Sequence, residues 1–310
     1  MNKKLLIGTL LICLLFTCKK DEKKKSFVPT KVIILVIDGP RYSETGGDFS
    51  QQYTPNQKEL AKKGVIYSNF FNNGVSYTTP GHTAISTGVY QSIANNGSEI
   101  PKNPSIFQYF NELQQWNENA SWIIASKDKL EVLADCYDDP YNGNYNPKTN
   151  CGIDGNGTGY RDDAETMKVV FDVLRKKKPQ LTLINLKEPD VFGHSGNWAN
   201  YLLGIEQSDI YLKNLCDFIE THPDYKDNTY LFVTNDHGRH CDGINDGFIS
   251  HGDGCVCCKH INLFAFGPTI IKDSLINTPR NLVDIPATIS SILNFEMPTG
   301  RGEVMVEIFE

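Results

Sequence analysis

The sequence predicts a three-layer α/β/α sandwich with a mostly parallel central sheet, and two observations carry that expectation. Apolar runs of strand length alternate with helical segments of ten residues or more, the pattern of crossover units that lay parallel strands side by side under helices on both faces. Three of those runs also end on a carboxylate. Lys31-Val-Ile-Ile-Leu-Val-Ile leads to Asp38, Gln180-Leu-Thr-Leu-Ile-Asn-Leu leads through Lys-Glu-Pro to Asp190, and Asn228-Thr-Tyr-Leu-Phe-Val-Thr-Asn leads to Asp236. In an open parallel sheet the ligand site lies at the carboxyl ends of the strands, so three such runs can aim their acids at one point.

The elements follow in order. After the first strand, Thr54 to Lys63 reads as a short helix that Gly64 ends, and Val65 to Phe71 as a second strand. Thr78-Thr79-Pro80-Gly81-His82 opens a helix, with proline in the first turn and a hydroxyl residue before it. Pro104 to Trp116 reads as helix, Ala120 to Ala125 as strand, and Asp163 to Lys178 as an amphipathic helix stopped by Pro179. Ala199 to Thr221 forms a longer helix, and Leu263 to Phe266 a late strand before Gly267-Pro268.

Composition sets bounds on function. With 310 residues and no linker, internal repeat or low-complexity tract after residue 30, the chain is expected to form one domain over 31–310. A net charge of -7 gives no footprint for nucleic acid. Met1-Asn-Lys3-Lys4 followed by apolar Leu5 to Phe16 has the charged and apolar regions of an export signal, too short to span a bilayer. Cys18 closes that stretch like the lipidated cysteine of bacterial lipoproteins, so 1–18 is expected to be a lipoprotein signal and 19–30 a polar tether. The protein is then exported and held by its lipid at a membrane, facing the periplasm or the cell surface, with no obligate protein partner implied. An ordinary cleaved signal is the alternative. Seven of the nine cysteines remain in an oxidising setting, where Cys136 and Cys151, flanking one loop, are expected to pair. Cys241, Cys255, Cys257 and Cys258 crowd one segment, for which disulfides or a structural zinc are the two readings.

Histidines accompany two of the three acids. Asp190 and His194 are four residues apart and would share a helix face, Asp236 and His237 are adjacent, and His251 follows downstream. Two sets of mixed imidazole and carboxylate donors suit two divalent ions, with zinc the best match. A threonine at the start of a helix is a weak nucleophile until a cation and the helix terminus favour its alkoxide.

Taken in order, Val36-Ile37-Asp38-Gly39, Thr78-Thr79-Pro80-Gly81-His82 with Thr87-Gly88, Glu188-Pro189-Asp190-Val-Phe-Gly193-His194, Asp236-His237-Gly238, and His251-Gly252 ahead of Phe266-Gly267-Pro268 resemble the alkaline phosphatase superfamily. The likeness is to its type I phosphodiesterase and nucleotide pyrophosphatase branch. The resemblance implies an alkaline phosphatase-like fold and two zinc ions, one held by Asp190, His194 and His251 and one by Asp38, Asp236 and His237. It makes Thr78 the nucleophile, since the family's pattern is Thr-x-Pro-x-His, and a phospho-threonine enzyme the intermediate in hydrolysis of a small phosphorylated substrate. His251 is preferred to His260 by its spacing to Gly267-Pro268. Sulfatases of this fold carry Cys/Ser-x-Pro-x-Arg and cofactor-independent phosphoglycerate mutases a serine, and neither pattern is present. Ser126-Lys127-Asp128-Lys129-Leu130 resembles a lysine-bearing segment of monoesterase-type phosphatases and of phosphonoacetate hydrolases, which implies that Lys127 and Lys129 bind an anionic substrate. A solvated charged turn is the alternative. Asn96 is the candidate for the superfamily's phosphoryl-binding asparagine.

One signal stands apart. Asp154, Asn156, Thr158, Tyr160, Asp162 and Glu165 fit the ligand positions of a calcium loop with Gly159 at its turn, against an ordinary glycine-rich loop running into a helix capped by its acids. The expected activity is that of a phosphomonoesterase or phosphodiesterase with an open site. A phosphonate hydrolase, a phosphotransferase and a non-catalytic metal-binding lipoprotein are the other readings.

Overall fold

In the computed structural model, which describes residues 30–48, 50–115 and 117–310, one nine-stranded sheet carries the chain. The signal, the tether up to residue 29 and Cys18 lie outside the described residues. The elements are β1 (Lys31–Ile37), α1 (Pro55–Ala61), β2 (Val65–Phe71), α2 (Thr78–Thr87), α3 (Ile106–Leu113), β3 (Ser121–Ala125), β4 (Lys148–Cys151) and α4 (Asp163–Lys176). They continue with β5 (Leu181–Leu186), α5 (Asp190–His194), α6 (Trp198–Thr221), β6 (Thr229–Thr234), α7 (Val256–Lys259), β7 (His260–Phe266), β8 (Ser274–Ile276), β9 (Arg280–Asn281) and α8 (Asp284–Ile292).

The strand order is β4-β3-β5-β1-β6-β7-β2-β8, with β9 on β2. All pairings are parallel except those of β7 with β6 and β2. The α/β/α class with a mostly parallel sheet is therefore as the sequence predicts. β1 shows why it has three layers. Val32, Ile34 and Val36 join a core with Ala84 and Ile85 of α2, Phe107 and Phe110 of α3 and Ile285 of α8. Ile33 and Leu35 join the opposite core with Val170 and Leu174 of α4 and Leu212 and Leu215 of α6. Period-two side chains in a central strand must be apolar on both faces when helices cover both.

β1, β5 and β6 are adjacent, which brings the ends of the three acid-bearing strands together. Helix α2 then seats against the end of β6. A Cβ on Gly81 would lie 2.6 Å from the Asp236 carbonyl oxygen, so only glycine lets the first turn of α2 come this close.

Two expectations for the cysteines change. Cys136 and Cys151 are both buried but unbridged; they pack at separate places, each thiol facing a backbone carbonyl. The one disulfide among the described residues joins Cys241 and Cys257, and leaves Cys255 and Cys258 as thiols.

Candidate active site

Each central strand delivers one acid to a common point. β1 runs into Asp38 and β6, through Asn235, into Asp236, while a short link carries β5 to Asp190 at the start of α5. All three carboxylates are buried. The approach of β1 to α5 is close: Gly39 has a φ of 69°, and a Cβ there would stand 2.9 Å from Asp190 Oδ1.

Two donor clusters form around these acids. In the first, α5 places His194 one turn after Asp190, with Nε2 3.3 Å from Asp190 Oδ1. His251 Nε2 lies 3.4 Å from the same oxygen and 3.2 Å from His194 Nε2. The other nitrogen of His251, Nδ1, donates to the Ser76 carbonyl at 2.7 Å, which leaves Nε2 with a lone pair facing the acid. In the second cluster His237 Nε2 lies 3.5 Å from Asp38 Oδ1 and 3.4 Å from Asp236 Oδ2. Burial pushes the His237 imidazole down to about 3, so it is neutral, the form that ligates.

These two clusters fit divalent cations. Ligand bonds of about 2.0–2.1 Å in a tetrahedral set require donors roughly 3.3–3.4 Å apart, close to the separations in both. In the second cluster, moreover, Asp38 Oδ1, Asp236 Oδ2 and His237 Nε2 are all buried without a hydrogen-bond partner. Three orphaned polar atoms facing one point are costly to bury unless a cation satisfies them. Donor atoms of Asp190, His237 and His251, and of Asp38, His82 and Asp236, also come within 4.8 Å of one another.

Lys127 lies between the clusters. Its ammonium reaches Asp190 Oδ2 at 2.7 Å, Asp38 Oδ2 at 2.9 Å and Thr78 Oγ1 at 3.0 Å. Burial opposes its charge, but Asp190 and Asp38 outweigh burial and hold the ammonium well above the ordinary lysine range. Burial likewise opposes the Asp190 charge, yet Lys127, the two histidines and Arg239 keep that carboxyl well below the usual range. Lys127 thus turns inward, and the solvated-turn reading of this segment does not hold. Lys129 is also buried, with Nζ 3.1 Å from Asn95 Oδ1. Thr78, at the first position of α2, is the threonine that reaches the ammonium; Thr79 instead donates its backbone N–H to Asn95 Oδ1 at 2.9 Å.

Three residues that the sequence reading did not assign belong here. His82 packs between α2 and the second cluster, with Nδ1 donating to the Thr78 carbonyl at 2.9 Å and Nε2 3.2 Å from Asn185 Nδ2. Arg239 is fully buried and donates to Asp190 Oδ1, to the Phe248 carbonyl and to the Ile249 carbonyl, tying the segment that carries His251 to α5. Its position immediately after Asp236-His237-Gly238 places it near the site but does not by itself show that it is buried. Asn95, not Asn96, is the asparagine that turns inward, its Oδ1 accepting from Thr79 N and Lys129 Nζ.

Some expectations are corrected. Asn96 is exposed, and its Oδ1 accepts from Ser98 N and Oγ, closing a local turn away from the acids. The calcium-loop residues do not converge. Asn156 Nδ2 donates to the Gly97 carbonyl, Thr158 Oγ1 to the Gly155 carbonyl, Asp162 pairs with Lys187 and Glu165 with Lys168. Tyr160 faces Lys127, with the ammonium 5.7 Å from its ring centroid, and Asp154 donates its backbone N–H to Thr158 Oγ1 at 2.9 Å, a local turn. The segment follows a strand, β4, where a calcium loop would follow a helix. His260 is remote from the acids, stacked between Tyr42 and Phe71.

Comparison with known proteins places this geometry in context. The model of the Metalloenzyme superfamily matches residues 30–297. A 2,3-bisphosphoglycerate-independent phosphoglycerate mutase of Mycoplasma genitalium is 26% identical over 256 residues, covering 81% of this chain and 45% of the mutase. The chain spans less than half the length of the curated relatives it matches. Among solved structures, a protein of the alkaline phosphatase superfamily from Vibrio parahaemolyticus superposes with a TM-score of 0.62 at 17% identity, over 88% of this chain and 69% of that one. Murine ectonucleotide pyrophosphatase/phosphodiesterase 5 superposes with a TM-score of 0.61 at 15% identity, over 90% of this chain and all of that one.

The clusters differ in charge, and that difference is measurable. Asp38 and Asp236 supply two carboxylates to the second, while the first has one, Asp190, already contacted by Arg239 and Lys127, and its His194 side chain is 46% exposed. Cations near a ligand oppose a further cation. Chelator titration followed by metal analysis should therefore show two classes of ion, the weaker missing in His194→Ala and the tighter missing in Asp236→Ala. A single class of equal affinity would contradict the asymmetry.

Proposed function

The chain belongs to the Metalloenzyme superfamily, and from that premise we propose that it is a metal-dependent hydrolase of phosphate esters with Thr78 as its nucleophile. The observation that carries the reading is the triple contact of Lys127 with Thr78, Asp38 and Asp190, which joins a nucleophile to two carboxylate-imidazole clusters. We assign Asp38, Asp236 and His237 to one divalent ion and Asp190, His194 and His251 to the other, zinc being the metal that best suits these donors. Bound there, the two ions supply the positive charge that stabilises the attacking and leaving oxygens of an in-line displacement.

The chain's own groups then act as follows. Thr78 Oγ1 gives its proton to solvent water and attacks phosphorus, helped by the Lys127 ammonium 3.0 Å away and by its position at the start of α2, and the departing ester oxygen takes a proton back from water. The new Thr78 oxygen–phosphorus bond forms as the ester oxygen leaves with its electron pair. Water then attacks the phosphothreonine, releasing phosphate and restoring the hydroxyl. Lys127 and Lys129 place positive charge beside the phosphoryl group, which favours a monoester dianion over a diester anion. The fold likeness to a pyrophosphatase/phosphodiesterase keeps diesters as the second substrate class. We further propose an exported, lipid-anchored protein, a setting that the Cys241–Cys257 disulfide supports.

Initial rates with p-nitrophenyl phosphate, bis-p-nitrophenyl phosphate, p-nitrophenyl sulfate and phosphonoacetate test the assignment. Monoester turnover should dominate and fall at least a thousandfold in Thr78→Ala, with a smaller loss in Lys127→Ala. Turnover of sulfate or phosphonate alone would overturn it, and product formation with added alcohols would identify phosphoryl transfer.

Lys129 gives a pH signature. Burial, followed by the neighbouring Lys127, pushes its ammonium down to about 8, and metal ions that cancel the carboxylate field would lower it further. Its charge is present below that pH and lost above it. KM for the monoester should thus rise as pH passes through about 8, and Lys129→Met should raise KM at low pH and remove that dependence. An unchanged pH profile in Lys129→Met would place the residue outside substrate binding.

A further inference from the structure

The segment from Gly238 to Lys259 folds back on itself beside the active site. Gly238 N donates to the Cys258 carbonyl at 2.8 Å and His240 N to the Ser250 carbonyl at 3.0 Å, and the Cys241–Cys257 disulfide crosses the same strap. Within it the side chains of His240, Asp253 and Cys258 converge, with ligand atoms all within 4.8 Å of one another. None of the three takes part in the chemistry above.

The individual geometries resemble a ligand set more closely than a hydrogen-bond network. His240 is 5% exposed, and its Nε2 is buried with no hydrogen-bond partner. That nitrogen lies 3.4 Å from Asp253 Oδ1, which is 3.6 Å from Cys258 Sγ. Zinc bonds of about 2.0 Å to nitrogen or oxygen and 2.3 Å to sulfur set tetrahedral donors roughly 3.3–3.8 Å apart. The outer contacts fit too. The other ring nitrogen of His240, Nδ1, is 2.8 Å from Asp246 Oδ1, the carboxylate–histidine pairing that orients metal-bound imidazoles. Asp253 Oδ2 accepts from Asn245 Nδ2 at 2.8 Å, while Oδ1 accepts from Cys255 N at 2.9 Å and faces the Cys258 thiol. Cys255 stands three residues before Cys258 at the N-terminal cap of α7, where its Sγ accepts from Cys258 N at 3.4 Å, a free thiol beside the cluster.

We propose that His240, Asp253, Cys255 and Cys258 bind a third divalent ion, zinc, separate from the two at the active site. Mixed thiolate, imidazole and carboxylate donors favour zinc over the harder magnesium and calcium, and four protein ligands make the site structural. The ion would fasten the strap that carries Arg239 and His251 and that begins directly after His237. The disulfide occupies Cys241 and Cys257, so the thiols left over are those the ion needs. The inference stands independently of the ester chemistry.

Metal analysis and cobalt spectroscopy of the purified full chain test it. The wild type should hold three zinc ions, and exchange into cobalt(II) should give a near-ultraviolet thiolate-to-cobalt band. Cys258→Ser and His240→Ala should each lose one ion and weaken or abolish that band. Cys255→Ser, a milder change at a half-buried position, keeps the test open should either variant fail to fold. The active-site variant His194→Ala should lose one ion yet retain the band. Two ions in the wild type, no thiolate band, or a Cys255–Cys258 disulfide in the unreduced peptide map would each overturn the proposal.

Discussion

Three buried carboxylates at the ends of three neighbouring strands are the constraint on which the rest of this structure depends. Two unit charges 4 Å apart interact by about 4 kcal/mol at an effective dielectric constant of 20, so Asp38, Asp190 and Asp236 repel one another strongly unless positive charge is brought to them. The fold brings it from two directions. Lys127, just past the end of β3, bridges Asp38 and Asp190, and Arg239, after β6, brings a second cation to Asp190. The histidine of the second cluster stays neutral. What remains unsatisfied are the oxygens and nitrogen that face each other across the second cluster, and a divalent ion is the natural complement. Stability and chemistry thus rest on the same electrostatic requirement, and Thr78 lies against the Lys127 ammonium that helps to meet it.

The second dependence is on the strap between Gly238 and Lys259. A segment with little regular secondary structure contributes His237, Arg239 and His251 to the site from positions up to fourteen residues apart, which demands that it be held in one shape. Arg239 ties its middle, at Phe248 and Ile249, to Asp190. The disulfide and the His240, Asp253, Cys258 cluster fasten its outer part. Cross-links of this kind stand in for the hydrophobic burial that such a strap lacks.

The sheet was legible in the sequence because its strands are apolar on both faces, so β1, β2, β3, β5 and β6 stand out within a residue or two. The acids were legible for the same reason, each following one of those runs. Arg239 was not, because nothing in a single sequence distinguishes a buried guanidinium from a solvated one; only the fold shows that α5 lies over it. Asn95 and Asn96 are adjacent, and a one-residue choice between an inward side chain and a turn-closing one depends on the loop's path. The segment from Asp154 to Glu165 has the composition of a calcium loop, but Asp163 accepts from Ser126 and the backbone of Lys187 and Glu188 while Asp162 and Glu165 pair with lysines, and composition alone does not reveal where side chains point. Cys136 and Cys151 flank one loop, yet the segment after β3 carries Cys136 and the end of β4 carries Cys151, and the two thiols face different backbone carbonyls.

The central claim is that Thr78 becomes covalently phosphorylated between the two donor clusters. The most direct measurement is acid quenching of the zinc-loaded protein within its first turnovers of p-nitrophenyl phosphate, followed by peptide mass spectrometry. A phosphoryl group on the peptide carrying Thr78, absent from Thr78→Ala and decaying as phosphate appears, is the expected result. Steady turnover with no phosphorylated peptide at any quench time, or with the group on another residue, would contradict the role given to Thr78.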